Sequence, residues 1–249
     1  MNLKGKINKL LNNFWSLGGR LQYVNGKRIV IYHSIERTIS DNTNIFSVLE
    51  TDFYNQIRWL KESSGLEIVD LQNAVSEKTV SITFDDGYFS NYQYALPILE
   101  ELQVPATFFI TTENIEMSHP DYLTPKAIKE IAERHQFTIG SHSHSHPRLS
   151  DCSDERICYE LSRSKIFLER LIEQEVSLLS YPHGSWDERV LRIAKSLGYK
   201  KCYTSRIGMQ KSGTNDHAIP RCCIIRSDKL NGFESRICGH NDWRGILQR

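Results

Sequence analysis

The sequence shows no bias of charge: 31 Lys and Arg stand against 30 Asp and Glu, a net of +1 over 249 residues. A chain so balanced offers no electropositive surface to a nucleic-acid polyanion. It also has no uninterrupted apolar run near the roughly 20 residues that a membrane-spanning helix needs. With hydrophobic residues at 39%, it reads as a soluble globular protein. No internal repeat, low-complexity tract or linker divides it, and one α/β domain of this length is ordinary. The six cysteines, Cys152, Cys158, Cys202, Cys222, Cys223 and Cys238, include no Cys-x-x-Cys pair, which removes the usual zinc-knuckle and dithiol redox patterns. Nor is there an apolar signal core at the N-terminus, where Lys4, Lys6 and Lys9 fall among Leu3, Ile7, Leu10, Leu11 and Phe14. The expectation is a cytoplasmic protein whose cysteines stay reduced.

What the N-terminus does have is amphipathic spacing. Leu3, Ile7, Leu10, Leu11, Phe14 and Leu17 predict a helix over residues 2–17, ended by Gly18-Gly19. This sets an N-terminal helix, residues 1–20, apart from a body, residues 21–249. A basic amphipathic helix either docks on the body or lies on an anionic membrane surface, which leaves peripheral membrane contact through residues 2–17 open.

In the body, apolar runs alternate with helical patterns. Strands are predicted at residues 28–32, 66–71, 80–84, 106–110, 137–140, 177–180 and 201–204. Helices are predicted at about 51–61, 92–102, 124–135, 154–173 and 187–197, with Thr124 as N-cap and Pro125 at the first position of the third. Such alternation argues a parallel sheet or barrel with its site at the C-terminal ends of the strands. No element is predicted after residue 204, and the tail sequence His240-Asn241-Asp242-Trp243 is given no role.

Two stretches at strand ends carry chemistry. Asp85-Asp86-Gly87 closes the strand of Val80, Ile82 and Phe84. Adjacent residues of a strand point to opposite faces, so both acids can serve one site only if the chain turns there, as Gly87 permits. Two close carboxylates then need a cation or a proton between them. The second stretch, Gly140-Ser-His-Ser-His-Ser-His-Pro147, offers His142, His144 and His146, and two imidazoles with one carboxylate leave open positions on a metal ion. In an extended segment, at about 3.3 Å per residue, His142 and His144 would share the ion and His146 would lie too far away. In a helical turn His142 and His146 come within about 6 Å along the axis. The residues leave both arrangements open.

Thr83-Phe84-Asp85-Asp86-Gly87 and His142-Ser-His-Ser-His146-Pro147 resemble the first two motifs of the polysaccharide deacetylases, the family with the NodB-homology domain. Ile31-Tyr32-His33-Ser34-Ile35 resembles the Tyr-His motif of the permuted branch that includes the poly-N-acetylglucosamine deacetylases. The resemblance implies a distorted seven-stranded (β/α) barrel and a metal-dependent hydrolase removing the acetyl group of an N-acetylated sugar. It implies that Asp86, His142 and His146 bind a divalent metal, zinc or another divalent ion, that Asp85 is the general base, and that His33 is the acid protonating the departing amine. Substrates of that kind are oligosaccharides or nucleotide- or lipid-linked sugars of surface-polysaccharide biosynthesis.

Ser180-Tyr181-Pro182-His183-Gly184 resembles the third motif, with the N–H of His183 expected at the oxyanion and Trp186 as an aromatic wall. It departs from the pattern at Ser180, where many members carry an Arg that holds the catalytic Asp, and at His183, where an aromatic is usual. Arg221, after Pro220, either takes that orienting role or is an ordinary surface arginine. Two other readings remain: an amidohydrolase using His142-x-His144, and an inactive carbohydrate-binding barrel.

Overall fold

The structure, a computed structural model, describes residues 26–240 other than 41, 42 and 74, together with 242 and 245. The helix predicted over residues 2–17 lies outside the described residues, as does the proposed division at residue 20.

Three strands at the centre show why the sheet forms. β1 (Lys27–Tyr32), β5 (Thr79–Phe84) and β6 (Ala106–Ile110) are buried at every position, as strands of a parallel sheet covered on both faces must be. Their side chains alternate. Val30, Tyr32, Ile82, Phe84 and Phe108 face out into the main core, where helices α1 (Glu50–Glu62), α2 (Leu96–Glu101) and α4 (Pro125–Ala132) contribute Phe53, Ile57, Leu60, Leu99, Ile128 and Ile131. Ile29 and Phe109 belong instead to a separate inner cluster with Leu178, Tyr203 and Ile219. The sheet therefore encloses a packed interior of its own, as a barrel does.

The strands follow the order β10-β1-β5-β6-β7-β8-β9 in parallel pairings, with β7 at Phe137–Ser141, β8 at Leu178–Ser180, β9 at Lys201–Tyr203 and β10 at Cys222–Cys223. β2 (Ile35–Glu36) and β3 (Val48–Leu49) form a separate two-stranded pair, and α3 (Thr112–Glu116) and α6 (Glu188–Ser196) follow β6 and β8. β4 (Glu67–Ile68) pairs with the first residues of β5, and β6 pairs with the last. Closure comes from one short segment. Ile219 bonds both ways with β9, through Thr204 N–H to Ile219 O at 2.8 Å and Ile219 N–H to Cys202 O at 3.0 Å. Three residues later Cys222 and Cys223 pair with Val30 and Ile31 of β1. The result is the distorted seven-stranded (β/α) barrel of the expectation, with one extra short strand.

Local differences have physical causes. The helix predicted over residues 92–102 begins as a π-helical turn, Asn91–Ala95, and becomes α-helical only at Leu96–Glu101. β4 keeps two residues of the six predicted, Glu67 and Ile68, which pair with Thr79 and Val80 of β5; Val69 still donates its N–H to Val80 O at 2.9 Å, and the chain leaves the sheet after it. Thr124 caps its helix as expected, accepting from Ala127 N–H at 3.2 Å. β10 and α7 (Leu230–Ile237) occupy the stretch for which no element was predicted. Asp242 of the tail pairs with the buried Arg28 at 2.9 Å. Among the described residues no helix is long and apolar enough to cross a membrane.

Candidate active site

Both acids of the Asp-Asp-Gly turn reach one cavity at the C-terminal ends of the strands. The turn starts one residue earlier than Gly87 suggests, since Asp86 itself has φ of 75° and Gly87 follows at 84°. Asp is among the few side chains that tolerate this left-handed region. Gly87 has a second constraint, because a Cβ there would meet Ile110 at 3.3 Å.

The histidine loop curls in the same way. Ser143 and His146 are left-handed, with φ of 63° and 61°, and this brings His146 Nε2 to 3.1 Å from His142 Nε2. Each of these nitrogens faces Asp86 Oδ1, at 3.4 Å from His142 and 3.3 Å from His146. Of the two arrangements left open, the structure adopts the one that joins His142 to His146. His144 points elsewhere: its Nδ1 lies 3.0 Å from Thr112 Oγ1 and its ring packs on Tyr159. An ion shared by His142 and His144 does not fit this geometry.

Among the described residues the group able to hold a metal is Asp86, His142 and His146, whose donor atoms all lie within 4.8 Å of one another. The donor set fits a divalent ion on two grounds. Asp86 Oδ1 is buried with no hydrogen bond, an orphaned acceptor facing two Nε2 atoms that would otherwise oppose lone pairs. His142 Nδ1 is 2.7 Å from Ser180 O, so Nδ1 donates to that carbonyl and Nε2 is left with its lone pair toward the site. Burial alone would push the Asp86 carboxyl up; when no ion takes the Nε2 lone pairs and the His142 and His146 rings carry protons there instead, they outweigh burial and hold the group well below the usual carboxylate range.

Asp85 is only 4% exposed and is held from across the barrel. Arg221 Nη1 and Nη2 donate to its two oxygens at 2.8 and 2.7 Å, a bidentate fork. Nη2 also donates to Ser180 Oγ at 2.6 Å, and that hydroxyl donates to Asp85 Oδ2 at 3.0 Å. Arg221 is fully buried, so it is no surface arginine, and Ser180 is the bridge between the fork and the acid. Burial would raise the Asp85 carboxyl; the charges of Arg221 and His142 bring it below its ordinary value.

His33, at the end of β1, lines the same cavity. Its ring lies 4.8 Å from Phe46 and its Nδ1 is 3.9 Å from Cys223 Sγ. Burial pushes its pKa down, against the pull of Asp86 and Asp85. At the third motif, Pro182–Gly184 makes a tight turn whose bonds are donated by Gly184 and Ser185, leaving the His183 N–H out of them. His183 is left-handed, φ 57°, and its ring sits 4.5 Å from that of His146. Trp186 does not form the expected aromatic wall: it is not among the residues lining the cavity, and it stacks on the buried Tyr181 against a satellite core cluster. Tyr181, His183, Gly184 and Ser205 line the cavity on that side.

The polysaccharide deacetylase family profile matches residues 72–202. The chain belongs to the polysaccharide deacetylase family. It is 30% identical over 201 residues to the putative polysaccharide deacetylase YxkH of Bacillus subtilis, covering 78% of this chain and 69% of that protein. It is 26% identical over 223 residues to the poly-beta-1,6-N-acetyl-D-glucosamine N-deacetylase of Staphylococcus aureus, covering 82% and 74%. Among solved structures, the Streptococcus pyogenes deacetylase PplD in complex with acetate superposes with a TM-score of 0.77 at 25% identity, over 85% of this chain and 98% of that one. By its family the chain is a hydrolase acting on linear amide C–N bonds.

Two residues that support this deacetylase-family site carry no recognisable signal in the sequence. Asn91, in the π-helical turn, is 1% exposed and clamps the backbone on both sides of His33: its Nδ2 donates to His33 O at 2.6 Å and its Oδ1 accepts from Ile35 N–H at 3.2 Å. π-Turns are often found at functional sites. Glu160, in α5 (Asp154–Ile172), is fully buried and accepts from His144 N–H, Ser145 N–H and Ser145 Oγ at 3.0, 2.7 and 2.6 Å. It holds the loop between His142 and His146. Glu160→Ala is expected to weaken metal retention by about 10- to 100-fold, the range for outer-sphere supports of metal ligands. Competition against a graded chelator would measure this, and unchanged retention would mean that the loop keeps its shape without Glu160.

Proposed function

We propose that the chain removes the acetyl group from an N-acetylated sugar of a surface polysaccharide, using a divalent ion, zinc in the first instance, held by Asp86, His142 and His146. The observation that carries this reading is the convergence of those three donors with Asp85 and His33 on one cavity of about 630 Å³, a size that suits a sugar unit. When bound, the ion supplies Lewis-acid polarisation of the acetyl carbonyl and makes a water acidic enough to attack near neutral pH.

The chain's own groups supply the rest. Asp85, kept ionised and aimed by Arg221 and Ser180, takes the proton of the attacking water on its carboxylate. The N–H of His183 faces the developing oxyanion. As the C–N bond breaks, His33 protonates the departing nitrogen, and the products are acetate and a free amine. Arg221 thereby takes the orienting role of the arginine that many members carry at the position of Ser180. The substrate form favoured is a unit within an oligosaccharide, with nucleotide- and lipid-linked sugars as further forms to assay.

Bound metal per chain tests the ligand set. In elemental analysis under zinc-replete conditions, Asp86→Ala, His142→Ala and His146→Ala are each expected to lose near-stoichiometric metal that wild type and His144→Ala retain. Metal lost with His144 and kept with His146 would refute the assignment.

A further inference from the structure

A second cavity, of about 420 Å³, opens beside the first and shares His33, Asn44, Phe46 and Tyr88 with it. Its other walls include the aromatic rings of Phe89 and Tyr94 and two carboxylates, Glu36 and Asp121. Among the described residues no Lys or Arg lines it. Neither carboxylate has an ion-pair partner among the described residues, whereas Glu50, Asp52 and Asp228 nearby in the fold are paired with Arg37, Lys229 and Arg236. Arg37, which lies over the Tyr94 ring at 5.1 Å, is thus already neutralised by Glu50 at 3.1 Å. The loop bearing Asp121 is fixed to the groove, because Phe89 N–H donates to Asp121 O at 2.8 Å and Tyr88 stacks on Tyr122.

Aromatic faces with neutral polar groups suit a sugar ring, and two unpaired carboxylates without a cation suit an ammonium group. The reaction proposed above makes that combination, since each deacetylated unit of a glycan carries a primary amine that becomes an ammonium as pH falls through the neutral range, and facing carboxylates favour that charged form. We propose that this groove binds an amino-sugar unit adjoining the N-acetylated unit in the catalytic cavity, with Glu36 and Asp121 facing its ammonium. The inference rests on the deacetylase reading and deepens it: the preferred substrate is a glycan that is already partly deacetylated, so that one turnover favours the next on the same chain.

The test compares kcat/KM on a fully N-acetylated glucosamine pentamer with that on a pentamer of mixed acetylation. Wild type is expected to favour the mixed pentamer by roughly three- to ten-fold, the range for two partly exposed ion pairs. Raising NaCl to a molar level should erase the preference. The double variant Glu36→Gln/Asp121→Asn should lose it while keeping the wild-type rate on the fully acetylated pentamer. No preference in wild type, or a preference that survives in the double variant, would overturn the proposal. Calorimetric binding of a fully deacetylated glucosamine pentamer separates the two readings. Binding that the double variant loses supports the groove even where no turnover is seen and the deacetylase reading fails; binding that it keeps sinks the groove alone.

Discussion

Asp85→Asn is expected to lower kcat by about 10²- to 10⁴-fold, the usual contribution of a positioned general base, with metal per chain unchanged. The two halves of this expectation have separate origins. Asn keeps the size of Asp and one oxygen that can still accept from Arg221, so of the two bonds at 2.8 and 2.7 Å one arm of the fork survives while the other faces an NH2 group. What disappears is the carboxylate able to take a proton. The group able to hold a metal does not include Asp85: its Oδ2 stays 3.9 Å from His142 Nε2, against 3.4 Å for Asp86 Oδ1. Assaying kcat on an acetylated oligomer alongside elemental analysis of the same preparation checks both halves. Near-normal turnover would refute Asp85 as the base, and loss of metal would make it a ligand instead.

How much of this could be read beforehand follows from where each contact lies along the chain. The strands β1, β5 and β6 were legible because they are dense in β-branched and aromatic residues, Ile29-Val30-Ile31, Val80, Ile82 and Phe84, and Phe108-Phe109-Ile110, and His33 and the two acids directly follow the first two of them. The choice between His144 and His146 was not. It depends on left-handed backbone at Ser143 and His146, and nothing in a Ser-His repeat distinguishes a curled loop from an extended one. β10 was invisible for a different reason: two residues, Cys222 and Cys223, show no period, and they become a strand only because β9 and β1 leave a gap to close. Trp186 was expected in the cavity wall since it follows the third motif, yet Tyr181 takes that side of the cavity and Trp186 stacks on it. Glu160 looks like one half of an ordinary exposed pair with Arg156, four residues earlier. Its burial comes from the histidine loop folding over it, a contact made only in three dimensions.

Arg221 shows most plainly what the fold adds to the sequence, and it carries the largest expected effect on stability. The residue lies between Ile219, which pairs with β9, and Cys222, which pairs with β1, so closing the barrel places it in the interior. There its guanidinium lies 5.2 Å from the Phe109 ring and 5.9 Å from that of Tyr203, donates to Thr204 O and Thr83 Oγ1, and meets Asp85. Arg221→Met would leave a buried carboxylate with only the Ser180 hydroxyl, and breaking one side of a buried pair costs about 3–5 kcal/mol. For a chain of this size that corresponds to a fall in Tm of about 6–20 °C. If the cost comes from the stranded charge, then Arg221→Met/Asp85→Asn should be more stable than Arg221→Met alone, with a coupling of about 1–3 kcal/mol in a double-mutant cycle. Strictly additive losses would mean that Arg221 stabilises the barrel through its carbonyl and ring contacts, and that Asp85 is held in place by something other than its fork. Arg221→Lys completes the test: it restores a charge but not two parallel donors, so it should recover stability more fully than kcat if aiming the carboxylate is what the fork does.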